Sequence, residues 1–135
     1  MAHFAHVNSE GVVDNVIVID EETLALGHWG DPSEWIQTSY NTQGGVHTLG
    51  GTPLRANYAG IGCVYDKTND VFHPSRPLDH KGVPCDSFTI GAPTWQWVNP
   101  VAMPEDAGTG TPPKMYLWDE ATKAWEDVTP ATPTV

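Results

Sequence analysis

The first twenty positions hold two short runs of apolar and β-branched residues with a single turn between them. Residues 2–7 read as a short strand, Asn8-Ser9-Glu10-Gly11 as a turn closed by glycine, and residues 12–19 as a second strand rich in Val and Ile. Together they predict a hairpin. Asp20-Glu-Glu-Thr-Leu-Ala-Leu-Gly27 follows, with an Asp cap and a glycine stop that predict two helical turns. Asp31-Pro-Ser-Glu34 repeats helix-entry chemistry, with Asp at the cap, Pro first and Glu third, and predicts a further helix start. Trp29 and Trp35 are expected to plug the core from this connection.

The second half carries a different pattern, an eight-residue figure with an aromatic at each end. It runs Tyr65-Asp-Lys-Thr-Asn-Asp-Val-Phe72, then Phe88-Thr-Ile-Gly-Ala-Pro-Thr-Trp95, then Trp118-Asp-Glu-Ala-Thr-Lys-Ala-Trp125. Pro77, Pro100 and Pro130 each stand five residues after a closing aromatic. In a hairpin with a four-residue connection the first and eighth residues face each other across the strands, where aromatic rings pair. Each copy therefore predicts an aromatic-clamped hairpin with an extended exit. The copies start 23 and then 30 residues apart, which argues against a propeller or solenoid of fixed period.

Between these regions, residues 41–62 hold six glycines. The segment lacks the strand-to-helix context and the Lys-Ser/Thr ending of a phosphate loop, so it reads as irregular ordered backbone. Such a long loop usually serves a function. The expected fold is mainly β: a small N-terminal β domain with short helical turns over residues 1–77, then proline-linked β-hairpin arms over residues 78–135. Residues 105–113 are the expected linker, and residues 131–135 are expected to fray unless docked. Isolated hairpins bury little, so the arms call for a partner surface, most economically other copies of the chain.

Twelve prolines and thirteen glycines in 135 residues support short strands and many turns. No stretch approaches the roughly 20 apolar residues that span a bilayer. Met1-Ala-His-Phe-Ala-His has neither the basic nor the apolar region of a signal peptide, which predicts a soluble protein made in a cytoplasm. Cys63 and Cys85 are too few for a disulfide scaffold or a thiolate zinc site and read as two partly buried thiols.

Charge is unevenly spread. The net value is −11, and residues 1–54 hold seven carboxylates without one Lys or Arg. Such a surface repels phosphate and disfavours direct nucleic-acid binding. It suits solubility and docking on a basic partner.

Catalytic chemistry finds little support. His3 and His6 fall on opposite faces of a predicted strand, and His28, His47, His73 and His80 are isolated. Asp66-Lys-Thr-Asn-Asp70 has oxygen ligands but lacks the closing Glu of an EF-hand loop, so it reads as an Asx turn. No Gly-x-Ser-x-Gly is present, and spacing singles out no carboxylate pair among 17 acids. The expectation is a protein without catalytic residues, cofactor or metal.

Ser39-Tyr-Asn41, Gly44-Gly-Val-His47, Arg55-Ala-Asn-Tyr-Ala-Gly-Ile-Gly62 and Tyr65-Asp66 form a recognisable set. With Met1-Ala-His-Phe-Ala5, Lys114-Met-Tyr-Leu-Trp-Asp-Glu120 and the Trp-closed hairpins, they cover most of the chain. On these residues the chain resembles a family of small proteins of marine tailed bacteriophages, including phages of cyanobacteria. The string from Arg55 to Gly62 is the specific part. The chain departs from that pattern at Ile90-Gly-Ala-Pro93, where members often carry an Asp-containing turn, and at Cys63, where an aromatic is common.

The resemblance implies a virion structural role, with an outer capsid decoration or short head fibre preferred over a tail, tail-fibre or baseplate component. It brings no catalytic residues. The expected interface or structural residues are Tyr65, Phe72, Phe88, Trp95, Trp97, Trp118 and Trp125, with Arg55 and Tyr58 from the specific string. Expected partners are other copies, with a trimer implied by the resemblance, and capsid or tail proteins, without nucleic acid or membrane. The six tryptophans also admit a carbohydrate-binding module that stacks on a host glycan.

Overall fold

The computed structural model describes residues 1–131. The chain is mainly β and divides into two units, one of Met1–Ser75 with Ile90–Gln96, the other of Arg76–Thr89 with Trp97 onward. The expected boundary lay between residues 77 and 78, without the return of 90–96.

In the first unit the N-terminal hairpin forms as the turn glycine and the Val/Ile-rich run predict, from β1 (Ala2–Val7) and β2 (Val13–Ile19), antiparallel, with a register shift at His6/Val7. The turn is held by Asn8, whose side-chain oxygen accepts the amides of Glu10 (2.9 Å) and Val12 (3.1 Å). Asp20 caps α1 (Glu21–Leu24) by accepting the Thr23 amide, but the helix is one turn with Ala25 at its C-cap instead of the two turns expected, and Gly27 follows in left-handed backbone at φ +83°. The second helix start yields only a 3₁₀ turn, Pro32–Glu34, capped by Asp31. It passes directly into β3 (Trp35–Thr38), which pairs antiparallel with β1 and gives a three-stranded sheet of order β2-β1-β3.

β1 is central, so both its edges are paired, and successive residues serve different cores on its two faces. Phe4 packs with Ile19, Leu24 and Trp35 on one face, while Ala5 packs with Val13, Ala59 and Phe72 on the other. Burying a ring such as Phe72, fully sheltered here, contributes roughly 2 kcal/mol. Trp35 fills the core as expected, but Trp29 does not: it is 43% exposed and contributes its backbone carbonyl, which accepts the Trp35 indole N–H at 3.0 Å.

The glycine-rich segment contains two short paired strands, β4 (Thr42–Gln43) and β5 (Val46–His47). Gly44 and Gly45 connect them at φ +57° and +78°, the doubly left-handed backbone of a two-residue hairpin turn. Gly45 is further restricted, since a Cβ there would lie 2.3 Å from the Pro93 carbonyl oxygen. β6 (Val64–Asp66) and β7 (Val71–His73) form the first aromatic-clamped hairpin, with Tyr65 opposite Phe72.

In the second unit β8 (Tyr116–Asp119) and β9 (Ala124–Asp127) form the other clamped hairpin, with Trp118 opposite Trp125. Both clamps have four-residue connections whose last residue, Asp70 or Lys123, adopts φ near +50°. The middle copy does not form this hairpin. Its corresponding residue is Pro93, whose ring holds φ near −65° and excludes that turn. Thr89 instead bridges Val98, and the intervening Ile90–Gln96 belongs to the first unit.

Residues 105–113 lie within the second unit as consecutive turns. Gly108 donates to the Lys114 carbonyl and Lys114 to that of Thr109, both at 2.8 Å, and the Tyr116 hydroxyl reaches Asp106. The expectation for the tail falls almost wholly outside the described residues. Among the described residues, no helix is long and apolar enough to cross a membrane.

Candidate functional site

The string from Arg55 to Gly62 is where the first unit is tied together. Arg55 and Ala56 both adopt left-handed backbone, at φ +50° and +66°, which turns the chain sharply and aims the next side chain inward. That side chain is Asn57, only 4% exposed. Its amide nitrogen donates toward the carbonyls of Phe72 (3.0 Å), Thr94 (3.1 Å) and Trp95 (3.1 Å). Its oxygen accepts the Gly44 amide at 2.8 Å. One side chain thus joins the glycine turn, the aromatic hairpin and the returning segment.

Arg55 reaches outward from the same turn. Its Nε donates to Asp70 at 2.7 Å and its guanidinium to the Gln37 carbonyl at 3.0 Å. Asp70 also accepts the Tyr65 hydroxyl. The hydrogen bonds from Tyr65 and Arg55 hold the Asp70 carboxyl below its usual range, and burial, with help from Asp70, raises the Tyr65 phenol. Thr38 and Thr42 complete the tie by accepting the amides of Ala59 (2.9 Å) and Leu54 (3.1 Å). Tyr58 faces the other way: its ring meets His3 and Tyr40 edge-on at 5.5 Å, and Tyr40 is 72% exposed.

His6, on β1, lies 5.0 Å from the Trp35 ring and is hydrogen-bonded to Asp14 and Glu34. The bonds to Glu34 and then Asp14 raise the imidazole above its ordinary 6.5. Beside this pair a cavity of about 180 Å³ opens between Val7, Ser33, Glu34, Ile36, Tyr65 and Lys67.

The second unit has a polar interior. Glu120 is buried, and its carboxylate accepts the Ser87 amide (2.6 Å), the Ser87 hydroxyl (2.8 Å) and the Trp118 indole N–H (2.8 Å). Burial pushes the Glu120 carboxyl up, but the donors from Ser87 and Trp118 outweigh it and the net direction is downward. Asp79 accepts the amides of Glu120, Lys81 and Val83, while Asp119 pairs with Lys81 at 3.0 Å. Phe88 packs on Trp118 at 5.8 Å, and Trp118 meets Trp125 at 5.3 Å. Arg76 stands 4.4 Å over the Trp97 ring, and the Trp125 indole N–H donates to the Val101 carbonyl.

The expected residues therefore separate into groups. Tyr65 and Phe72 join Arg55 in the first unit, where Trp95 contributes a carbonyl to Asn57; Phe88, Trp118 and Trp125 form one aromatic row in the second unit. Phe88 and Trp95 do not clamp each other, for the reason given by Pro93. Asn57 was not among the expected residues, although it stands between Arg55 and Tyr58 in the most specific string. The Asp66 loop is closed by Asn69, whose backbone and side-chain amides both bind the Asp66 carboxylate, the Asx-turn arrangement. Among the described residues no group of His, Cys, Asp or Glu has the arrangement of a metal site. No family model, curated protein or solved structure matches the chain.

Proposed function

We propose that the protein is a non-enzymatic structural component of a bacteriophage virion, an outer capsid decoration or short head fibre that works as a homo-oligomer. One observation carries this reading: the buried polar side chains hold backbone in place, while large apolar side chains stand on the surface. Asn57, Asp79 and Glu120 are all engaged by amides, hydroxyls or carbonyls of their own unit. Leu49, Ile61, Tyr40, Leu26, Leu78 and Val46 are between 61% and 77% exposed. A scaffold with fixed interior chemistry and unspent apolar surface suits assembly on a protein lattice. The resemblance to small proteins of marine tailed phages supports the same role, and the acidic N-terminal region suits a basic capsid or tail surface.

Purified virions provide the test. The chain is expected in stoichiometric amount in particles washed at high salt, and cryo-EM of those particles is expected to place it on the capsid exterior. Absence from purified particles would refute the virion assignment, and density on the tail would move it to a tail component.

A glycan-contacting reading draws on one patch, where the exposed Tyr40 ring clusters with the half-buried rings of His3 and Tyr58. The tryptophans favour it less, because Trp118 is buried and Trp97 and Trp125 engage groups of their own unit. Loss of adsorption to host cells by a Tyr40→Ala variant, with assembly unchanged, would support that reading.

A further inference from the structure

Two features of the first unit have no task in the tie around Asn57. One is the cavity of about 180 Å³, lined by the apolar or aromatic Val7, Ile36 and Tyr65 and by the polar Ser33, Glu34 and Lys67. Small-molecule sites run to roughly 300–1,000 Å³, so this cavity is undersized for a cofactor or an oligosaccharide and suits one inserted aliphatic side chain. The other feature is Leu49, 77% exposed beyond β5.

That leucine is held, not loose. The His47 ring nitrogen Nδ1 accepts the amides of Leu49 (3.1 Å) and Gly51 (2.9 Å), so it carries no proton. Gly50 donates to the His47 carbonyl at 3.0 Å and Thr48 to that of Asn41 at 2.7 Å. A side chain presented on a braced tip loses little freedom when it docks.

Charge favours the same tip. Copies of a chain with net charge −11 repel one another, yet residues 41–54 contain no Asp, Glu, Lys or Arg. The tip can approach a second copy without like-charge repulsion. Lys67 forms no salt bridge to a described residue, and its ammonium at the cavity can receive backbone carbonyls of an incoming tip.

We propose that Leu49 of one copy seats in the Val7/Ile36/Tyr65 cavity of the next. The contact joins two different surface patches, so it is either reciprocated in a two-fold dimer or repeated head-to-tail, where the rotation between copies decides between a ring and a filament. This inference rests on the self-association in the proposed function.

Sedimentation velocity over a concentration series of the wild type and Leu49→Asp tests it, with circular dichroism to confirm that the exposed substitution leaves the fold intact. Losing a buried leucine is expected to weaken association about 10- to 100-fold. Mixing Leu49→Cys with Lys67→Cys under oxidising conditions is expected to give a disulfide-linked dimer absent from the wild type. Association of Leu49→Asp equal to wild type, or no mixed disulfide, would overturn the seating of Leu49 and leave self-association standing. A wild type that stays at 14.7 kDa would remove self-association and this contact together.

Discussion

Replacing Asn57 with Ala removes the hydrogen bonds that its amide group makes with Gly44, Phe72, Thr94 and Trp95, and the longer one that it accepts from Gln96. An amide nitrogen has two hydrogens, so one of its three carbonyl contacts is shared. The alanine variant leaves the Gly44 amide and at least one carbonyl without a partner at a position 4% exposed. At roughly 1–3 kcal/mol for each unsatisfied buried group, the expected loss is about 3 kcal/mol, a large part of the 5–15 kcal/mol typical of a domain. For a unit of this size that lowers the midpoint by roughly 10–20 °C.

Asn57→Asp sharpens the test. The carboxylate keeps the Gly44 acceptor but presents oxygen to three carbonyl oxygens, so the folded state favours the protonated acid and raises its pKa above the unfolded value of about 3.9. Between those two values the native state binds more protons, and stability falls as pH rises through the window. Hydrogen exchange of β1 amides under increasing urea reports the first unit separately. Gln96→Ala, which removes only a contact at 3.4 Å, is the control and is expected to stay within about 0.5 kcal/mol of wild type. An Asn57→Ala variant equally close to wild type, or an Asn57→Asp variant without the pH slope, would refute the central role of this amide.

Three further outcomes are expected. Trp118→Ala should lower second-unit stability by about 3–5 kcal/mol and Trp125→Ala by less, since Trp118 is 6% exposed and Trp125 only half-buried; equal losses in thermal melts would contradict the assigned burial. Gly45→Ala should destabilise the first unit by about 2 kcal/mol or more, because the left-handed backbone and the Pro93 carbonyl both oppose a Cβ; a neutral substitution in urea unfolding would disprove the close approach. His6, raised above 6.5, adds stability that is fully present below 6.5 and is lost as pH rises through its folded value. NMR titration of its ring should show the upward shift in wild type and a smaller one in Glu34→Gln, and an unchanged value in that variant would contradict the Glu34 hydrogen bond.

Local patterns were the legible part of this fold. A turn closed by glycine and a β-branched run located the β1–β2 hairpin, and aromatics seven positions apart located the pairs Tyr65/Phe72 and Trp118/Trp125, because in each case the determinants lie within a few residues. The same turn chemistry, applied to Pro93, accounts for the failure of the middle copy. β3 was hidden because Trp35-Ile-Gln-Thr38 is too short to show a period, and it becomes a strand by pairing with β1, thirty residues earlier in the chain. Asn57 was hidden for a related reason. The string containing it was recognisable, but the convergence of Gly44, Phe72, Thr94 and Trp95 on one amide exists only after distant segments meet.

The return of Ile90–Gln96 to the first unit has a consequence for how the protein can be made or divided. The amide of Asn57 takes acceptors from residues 37 and 38 positions further along, so on the ribosome it must wait for them while Arg76–Thr89 is synthesised in between. A fragment cut at Ser75 would contain every strand of the first unit and still lack two of the carbonyls that the Asn57 amide binds. The natural place to graft, permute or label this protein is therefore an exposed turn such as residues 121–123, and the link between Ser75 and Arg76 is the wrong place to sever it.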